Sequence, residues 1–453
     1  MLSGLNRSES NLVLTDGSKV AVIGAGPAGA FFSYFLLDMA KRVGIELELD
    51  VYESRDFSKA GPAGCNMCGG IVSESLVQTL ATEGINLPAS VVQRGIDSYL
   101  LHTDVGNARI ETPLHEMRIA AVFRGRGPRD VKDTRWGSFD EYLEKLIIEG
   151  GARLVGERVE GVTFSNGKPH VEARGSPPRE YDLLVVAAGV NSGVLGVFER
   201  LGLGYTAPAT TRTFIREYYL GEETVGRVLG SSMHVFLLNI PRLEFAAIIP
   251  KGDYVTVCML GQEIDNALVQ AFLSSPEVKE CLPAGWHCEE GSCQCWPKIN
   301  VRGVARPFAD RIVFVGDSAV TRLYKDGIGA AYRTAKSAAA TAVLHGVGAA
   351  EFERHYWPTC KAIANDNVLG RLTFRIVRQL QTRRFARRAV LRMTLREQRN
   401  KQSSLRMSKI LWDMFTGSAP YADIFGRAMH PGFWGRFLWN VVAATIGMRG
   451  TGR

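Results

Sequence analysis

Short segments rich in apolar and β-branched residues recur along the chain, at residues 20–23, 47–52, 182–188 and 310–316. Segments of this kind, bounded by glycine or polar residues, are typical of strands buried on both faces of a parallel sheet. Apolar residues at helical spacing lie between and after them, at residues 27–41, 73–81, 139–149 and 327–344. Strands that alternate with amphipathic helices predict an α/β fold with helices packed on a parallel sheet.

The pattern changes near residue 205, where alternating strands with little helix extend over residues 206–260. This pattern predicts an antiparallel sheet in a second domain. Because a buried strand and an Ala-rich helix return after residue 310, the first domain is expected to be discontinuous in sequence. The predicted domains are a Rossmann-like domain at 1–90, 130–204 and 300–345, a substrate domain at 91–129 and 205–299, and a basic helical C-terminal region at 346–453.

The turn after the first strand carries the glycines of a dinucleotide-binding fingerprint, GAGPAG at residues 24–29. Gly24 permits the tight turn, Gly26 lets the backbone approach a pyrophosphate, and Gly29 lets helix and strand pack closely. Glu53 ends the second strand, where an acid is expected to hold ribose hydroxyls. Strand, glycines, helix, strand and acid in this order predict a dinucleotide site at the N-terminus of the first helix.

The net charge of +8 is unevenly distributed. Residues 371–453 hold 17 basic and 3 acidic residues, whereas the rest of the chain holds 37 basic and 43 acidic residues. The sequence shows neither a secretory signal nor an uninterrupted apolar segment of 18 residues, so a cytoplasmic protein is expected. The C-terminal region therefore has an electrostatic character of its own.

Four motifs stand in a fixed order: GAGPAG with Glu53, RWGSFDEYL from Arg135, DLLVVAAGVNS from Asp182, and RIVFVGDSA from Arg311 followed by DGIGAA. This order resembles the flavoprotein superfamily of p-hydroxybenzoate hydroxylase. The turn ending in CGG at residues 68–70 and the sequence FAAIIP at residues 245–250 look most like the geranylgeranyl reductase family.

The resemblance implies that FAD is the cofactor. The glycines and the acid of the fingerprint would hold the pyrophosphate and the ribose. Asp317 would bind the ribityl chain, and the DGIG turn would lie against the flavin ring. Arg135 would lie near the phosphates, with Arg124 as a second candidate, and Val159 would meet the adenine. The full set of implied FAD residues is Gly24, Gly26, Pro27, Ala28, Gly29, Glu53, Ser54, Arg124, Arg135, Val159, Gly189, Gly316, Asp317, Gly327, Ile328 and Gly329.

Cys65 and Cys68 form a CxxC turn that continues into Gly69. By the resemblance, Cys68 lies beside the flavin ring, and these three residues are the candidate catalytic group. A CxxC turn next to a helix N-terminus lowers a thiol pKa, which would also favour a reversible Cys65–Cys68 disulfide. The alternative is that two small residues simply fill a tight loop.

A second group of thiols consists of Cys281, Cys288, Cys293 and Cys295. Four cysteines within 15 residues suggest a zinc or Fe–S site, because thiolates favour these metals. Their spacing matches neither ferredoxin nor zinc-ribbon patterns, so ordinary thiols remain the alternative.

The C-terminal region places arginines around an apolar helical face at residues 369–384 and carries many aromatic residues after residue 411. This pattern predicts peripheral membrane association, on the inner face of the membrane for a cytoplasmic protein. The alternative is that the region covers the FAD domain. No recognised module predicts nucleic-acid binding.

These observations predict an FAD-dependent oxidoreductase that moves a hydride or electrons between a cavity-bound organic, lipid or quinone substrate and a separate redox carrier. No second GxGxxG follows a strand, so an external donor or acceptor protein is expected. One alternative is an FAD monooxygenase or halogenase, although the WxWxIP-type halogenase signature is absent. Another is an electron-transfer subunit in which the cysteine group holds a cluster.

Overall fold

The computed structural model describes residues 12–112, 119–129, 131, 135–283, 293–400 and 405–445. The strands in this part of the chain are β1 Ser18–Ile23, β2 Leu47–Tyr52, β3 Ile71–Val72, β4 Val92–Ile96, β5 Ser98–Thr103, β6 Gly106–Glu111, β7 Ile119–Val122, β8 Arg153–Val155, β9 Val159–Ser165, β10 Lys168–Ala173, β11 Arg179–Glu180, β12 Leu183–Val186, β13 Ala209–Arg212, β14 Phe214–Tyr219, β15 Ser232–Phe236, β16 Leu243–Lys251, β17 Tyr254–Gly261, β18 Gln294–Cys295, β19 Lys298–Arg302, β20 Phe308–Ala309 and β21 Ile312–Phe314.

The helices of the described residues are α1 Pro27–Val43, α2 Glu74–Thr82, α3 Phe139–Glu149, α4 Leu195–Arg200, α5 Glu222–Val228, α6 Asn266–Leu273, α7 Pro276–Lys279, α8 Gly327–Leu344, α9 Ala349–Glu351, α10 Trp357–Thr382, α11 Arg384–Arg399, α12 Arg406–Thr416, α13 Tyr421–Met429 and α14 Pro431–Thr445. Short 3₁₀ turns cover Gly61–Ala63 and Gly316–Ser318, and a π-helical turn at Phe352–Tyr356 leads into α10.

The first sheet has the order β20-β21-β12-β1-β2-β8 among the described residues, and every pair except β20–β21 is parallel. The central strand β1 is buried except at Lys19, as the apolar segment predicts. One face packs on α1, α3 and α8, and the opposite face packs on α4 and the small sheet β11-β10-β9. The parallel sheet therefore brings strands from residues 18–23 and 312–314 into one core although they are far apart in sequence.

The second large sheet has the order β18-β14-β17-β16-β15-β5-β6 in the described residues, and it is antiparallel except for the pair β15–β5. Side chains alternate between its two faces. One face, which we call the cavity face, presents Ile215, Cys258, Ala247 and Val235. The opposite face, which we call the far face, is covered by α5, α6 and α7. The segment after residue 205 therefore contains more helix than its sequence pattern predicts.

The C-terminal helices pack on the cavity face of the second sheet. Trp412 of α12 stacks on Tyr99 with ring centroids 4.7 Å apart, and its indole N–H donates to Glu74 at 2.8 Å. Phe415 contacts Phe245 with centroids 5.5 Å apart. The C-terminal region is therefore part of the wall between the two sheets. The fold-class prediction is confirmed: a Rossmann-like parallel domain, an antiparallel sheet domain and a helical C-terminal region. The predicted domain bounds stay a prediction.

Candidate functional site

The turn after β1 brings α1 into close contact with the sheet. Gly24 has φ +101°, and a Cβ there would lie 2.8 Å from the carbonyl oxygen of Ala187 on the neighbouring strand. A Cβ at Gly29 would lie 1.8 Å from the carbonyl oxygen of Gly24. Only glycine fits at both positions, and the result is that the N-terminus of α1 closes directly onto the sheet.

Glu53 lies where the fingerprint predicts it, after β2. Its carboxylate accepts hydrogen bonds from the backbone N–H groups of Ala25 at 3.0 Å and Arg55 at 2.9 Å. The acid is thereby fixed beside the glycine turn. Its remaining lone pairs can accept from a ligand hydroxyl.

The opposite end of the site consists of the loop after β21 and the N-terminus of α8. Burial raises the pKa of Asp317, whose carboxyl group lines the cavity. Gly327 is the first residue of α8, and its neighbour Asp326 adopts φ +52°. The first N–H groups of an α-helix lack intrahelical partners and carry a partial positive charge. This end of the cavity is therefore suited to the electron-rich edge of a flavin.

A buried ion pair joins two motifs at the cavity wall. The Nε atom of Arg124 donates to both oxygens of Asp140, at 2.8 Å and 3.0 Å, and Asp140 also accepts from Asn66 at 3.1 Å. Burial opposes the charge on Arg124, but Asp140 and Cys68 raise its pKa above the ordinary value. Arg124 therefore remains a cation inside the site.

Arg135 lies elsewhere. Its guanidinium pairs with Glu222 at 2.7 Å and Asp253 at 3.6 Å, and it does not line the cavity. This position does not support the prediction that Arg135 lies near the phosphates. The aspartate of the same motif, Asp140, reaches the site instead and holds Arg124 there.

The cysteine turn lies against the cavity face of the second sheet. Cys68 and Gly69 line the cavity, and a Cβ on Gly69 would lie 3.6 Å from the sulfur of Cys258. Cys65 does not line the cavity, and burial raises the pKa of its thiol. The predicted activation of this thiol is thus not found, because desolvation outweighs any effect of the turn.

The substrate side of the cavity is largely apolar. Phe245, Ala247 and Ile249 project from β16, and Phe415 closes the space from α12. The cavity has a volume of about 310 Å³, within the range of small-molecule sites. Its composition favours an organic ligand with aromatic or aliphatic surface.

Lys325 is the buried amine of the cavity wall. Its Nζ donates to the carbonyl oxygens of Asp413 at 2.8 Å and Ala419 at 3.2 Å, and it lies 4.0 Å from the ring centroid of Tyr421. Burial and the charge of Arg322 lower its pKa to about 7. Asp413, Ala419 and Tyr421 do not line the cavity, so the amine attaches the cavity wall to the C-terminal helices.

The predicted FAD residues that line the cavity are Gly24, Gly26, Pro27, Ala28, Glu53, Arg124, Gly189, Asp317, Gly327 and Ile328. Those that do not line it are Gly29, Ser54, Arg135, Val159, Gly316 and Gly329. Of the latter, Gly29 and Gly316 still support the site, because a Cβ at Gly316 would lie 2.6 Å from the Cβ of Ala28. Val159 is buried against the other face of the parallel sheet.

The described residues fit FAD. Gly24 and Gly26 line the cavity at the N-terminus of α1, and a Cβ on either would lie 2.8 Å from Ala187 or Asn66. Only glycine therefore lets the backbone at this N-terminus face the cavity, as pyrophosphate binding requires. The same cavity continues to Asp317 and the N-terminus of α8, where a ribityl chain and a flavin ring have suitable hydrogen-bonding partners.

The predicted four-cysteine metal group does not assemble in the described residues. Cys281 lies on the far face of the second sheet, whereas Cys295 is aligned with Ile215 on the cavity face. Cys293 adjoins the same cavity-face edge, because its carbonyl oxygen accepts from the N–H of Glu217 at 3.0 Å. Cys288 lies outside the described residues. The predicted grouping is therefore corrected: proximity in sequence placed together residues that a sheet separates.

No protein-family model matches the sequence, and no curated protein matches it. The solved structure of the halogenase PltM with phloroglucinol and FAD is similar with a TM-score of 0.59 at 13% identity, covering 95% of this chain and 92% of that chain. The flavin-dependent brominase Bmp2 has a TM-score of 0.57 at 13% identity, covering 96% and 100%. A flavoprotein/dehydrogenase from Cytophaga hutchinsonii has a TM-score of 0.57 at 14% identity, also covering 96% and 100%.

This chain has the fold of FAD-dependent flavoproteins. The likeness extends over nearly the whole chain, including the C-terminal helices. At 13–14% identity it concerns the fold alone. A specific likeness to geranylgeranyl reductases does not emerge from these structures.

Sequence reasoning missed several residues of the cavity wall. Asn66 stands between Cys65 and Cys68, and a polar side chain at this point of the turn was the available signal. Phe415 and Thr416 come from α12, and nothing in their local sequence indicates that they reach the cavity.

Proposed function

We propose that the protein is an FAD-dependent oxidoreductase of the oxygenase and halogenase type, acting on a small organic molecule with aromatic or other apolar surface. The observation that carries the proposal is one cavity that joins the glycine fingerprint, Asp317 and the N-terminus of α8 to an apolar wall closed by α12. The similarity to PltM and Bmp2 supports this type over a reductase.

The residues that would hold FAD are those of the glycine turn, Glu53, Asp317 and the first turn of α8. When bound, FAD supplies two-electron chemistry and, in its reduced form, reactivity towards dioxygen. Phe245, Ala247 and Phe415 bind the apolar part of the substrate and exclude water from it. Arg124 provides a fixed positive charge at the wall.

Lys325 is proposed to position the loop before α8. Its Nζ donates to the carbonyl oxygens of Asp413 and Ala419, which do not line the cavity, so the amine attaches this loop to the C-terminal helices. We expect Lys325→Met to lower kcat by up to about 10²-fold while FAD stays bound, because the cavity wall is displaced.

The test begins with the purified protein. Flavin released by heat should be FAD at about one per chain, and the protein reduced with dithionite should be reoxidised faster by air when phloroglucinol and bromide are present. Mass spectrometry should then show a hydroxylated or brominated product. A colourless protein that fails to bind added FAD would contradict the proposal.

A reductase is the second candidate, because Cys68 lines the cavity beside Arg124. In that case Cys68 would donate a proton to a carbon atom of the substrate, as expected for a geranylgeranyl reductase-like enzyme, and the hydride would come from the flavin in its two-electron-reduced form. The reduced protein would then be reoxidised by an unsaturated lipid or a quinone under nitrogen. Anaerobic stopped-flow mixing separates the two candidates, and Cys68→Ser should slow only the second reaction.

The proposed partner of the C-terminal region is an anionic membrane surface. No helix among the described residues is both long enough and apolar enough to span a bilayer. Val368, Leu372 and Ile376 nevertheless form an exposed stripe along α10, flanked by Arg371 and Arg375. An exposed apolar stripe bordered by arginines is suited to lie in a lipid interface.

A further inference from the structure

A second cluster of chemically active side chains lies outside the cavity. His102 of β5, His234 of β15 and Cys281, just after α7, are buried with 4–5% of their surface exposed. They belong to the far face of the second sheet, because His234 pairs with Ile248 and His102 pairs with Phe236 in the strand register. The cavity residues Met233 and Ala247 project from the opposite face.

The three donor atoms approach one another closely. The Nε2 of His102 lies 3.1 Å from the Nδ1 of His234, which lies 3.3 Å from the sulfur of Cys281. The sulfur lies 3.5 Å from the Nε2 of His102. All three atoms fall within 4.8 Å of one another.

These separations can be compared with those around a metal. With Zn–N of about 2.0–2.1 Å and Zn–S of about 2.3 Å, a tetrahedral ion separates two nitrogen ligands by about 3.3 Å and nitrogen from sulfur by about 3.5 Å. In a trigonal plane, as in a blue-copper site, two nitrogen ligands would be about 3.5 Å apart and nitrogen and sulfur about 3.8 Å apart. The observed distances agree with the tetrahedral edges and fall short of the trigonal ones.

We propose that His102, His234 and Cys281 bind one zinc ion, with the fourth position left to a ligand other than these three. Imidazole nitrogen and thiolate are donors that zinc prefers. Each imidazole places one ring nitrogen, Nε2 of His102 and Nδ1 of His234, within 3.5 Å of the sulfur of Cys281. On binding, the thiol of Cys281 releases its proton to solvent and gives up its contact with the carbonyl oxygen of Glu277.

The zinc ion has a structural role in this arrangement. It joins two neighbouring strands of the sheet to the chain after α7, on the face opposite the flavin cavity. Because a bound ion stabilises the folded state but not the unfolded chain, its removal should lower thermal stability and leave FAD in place.

The experiment uses the purified full-length protein with its flavin. We expect about one zinc per chain by plasma mass spectrometry, and zinc-edge X-ray absorption that fits one sulfur at about 2.3 Å and two nitrogens at about 2.0 Å. Flavin does not interfere with this absorption edge. Treatment with EDTA should lower Tm by about 5 °C or more, and added zinc should restore it.

Matched variants distinguish the site from a general effect of losing a buried cysteine. Cys281→Ser should retain less than a fifth of the zinc and should show no EDTA-dependent change in Tm. Cys360→Ser changes an equally buried thiol of α10 and should behave like the wild type. His102→Gln supplies a second test if Cys281→Ser is insoluble. X-ray absorption of the wild-type protein tests the metal ligands without any variant.

Several results would overturn the proposal. One is a protein without zinc whose Tm does not respond to added zinc. This result would show that the three side chains form hydrogen bonds with one another and bind no metal. Another is zinc with an all-oxygen or all-sulfur shell, and a third is equal zinc in Cys281→Ser and the wild type. Since FAD content is measured in the same samples, failure of the zinc site is distinguishable from failure of the proposed function.

Discussion

At the scale of single residues, Arg124 and Lys325 show how burial acts differently on two cations of one cavity. Arg124 keeps its charge because the carboxylate of Asp140 lies 2.8 Å from it. Lys325 donates to two carbonyl oxygens, which offer less compensation than a carboxylate, and its pKa falls to about 7. The guanidinium is therefore suited to permanent charge and the amine to proton exchange.

The depressed pKa of Lys325 predicts a specific dependence of stability on pH. Below about pH 7 the amine is charged in both the folded and the unfolded protein, and the folded protein is destabilised by the full cost of burying that charge. Between about pH 7 and the ordinary value of 10.5, the unfolded chain holds the proton and the folded protein does not. The free energy of unfolding should therefore rise with pH, by about 1.4 kcal/mol per unit, relative to Lys325→Met.

Urea unfolding of both proteins at pH 7, 8 and 9 measures this difference. The comparison with Lys325→Met removes the contributions of all other titrating groups. Parallel pH profiles for the two proteins would show that the amine of Lys325 does not have a lowered pKa.

Gly29 offers a prediction about cofactor binding. A Cβ there would meet the backbone of Gly24 at 1.8 Å, so Gly29→Ala must push α1 away from β1. We expect a loss of stability of about 1–3 kcal/mol and FAD affinity at least about tenfold weaker. Equilibrium dialysis with FAD measures the affinity.

Gly226→Ala is the matched control, since a Cβ there meets nothing within 4 Å on α5. It should bind FAD like the wild type and should be equally stable or up to about 1 kcal/mol more stable. Equal FAD affinity in Gly29→Ala and Gly226→Ala would show that the glycine turn does not contribute to FAD binding.

At the scale of elements, the turn between α12 and α13 is attached to the loop before α8. Arg322 donates to Asp326 at 3.0 Å and to the carbonyl oxygen of Gly417 at 2.8 Å. Lys325 adds a bond from this loop to the carbonyl oxygen of Asp413, and Trp412 attaches α12 to Glu74 of α2. The C-terminal region thus fixes the loop that would lie beside the flavin.

Gly417→Ala should loosen this attachment. Gly417 has φ +77°, and a Cβ there would lie 2.6 Å from the Cβ of Asp326. We expect kcat/KM to fall about 10–100-fold, because the loop and α12 must separate by a few tenths of an ångström or more. Quenching of flavin fluorescence by iodide should increase at the same time.

Gly426→Ala provides the control for this experiment. Gly426 lies within α13, and a Cβ there meets nothing within 4 Å. If Gly417→Ala matched it in both turnover and quenching, the attachment of α12 would not influence the flavin loop.

At the scale of the whole molecule, the second sheet separates two environments. Its cavity face meets the Rossmann-like domain and the C-terminal helices, whereas its far face carries the histidine and cysteine cluster under α6 and α7. The exposed stripe on α10 lies on the outer surface of the C-terminal helices. The proposed redox chemistry, metal binding and membrane contact would thus take place at three separate surfaces.

The membrane proposal predicts binding to anionic vesicles. Each basic side chain at a charged lipid surface contributes about 1 kcal/mol. The double variant Arg371→Gln/Arg375→Gln should therefore weaken partitioning onto phosphatidylglycerol vesicles by about 30-fold. Sedimentation with vesicles measures the bound fraction, which should also fall with added salt.

Arg42→Gln/Arg174→Gln removes two exposed charges from other surfaces. It should partition like the wild type. Equal weakening by both pairs would indicate an effect of net charge, and no binding by the wild type would contradict membrane association.

Local sequence was sufficient for the fingerprint, for Glu53 and for α8, because these depend on residues within one strand–turn–helix unit. It was misleading for Arg135, since the loop before α3 directs that side chain to Glu222 and Asp253. It was also misleading for the cysteines, because sequence proximity of Cys281 and Cys295 does not reveal that they lie on opposite faces of a sheet.

The sequence by itself determined the α/β fold and the glycine turn, because strand burial, helix periodicity and the steric demands of glycine are local properties. Only the tertiary structure decided that α12 closes the cavity, that Arg124 rather than Arg135 reaches it, and that Cys281 meets His102 and His234. These contacts join segments 47–338 residues apart along the chain or depend on the direction in which a side chain leaves its strand. The pairing of strands and the packing of helices determine these contacts, and no local sequence pattern predicts them.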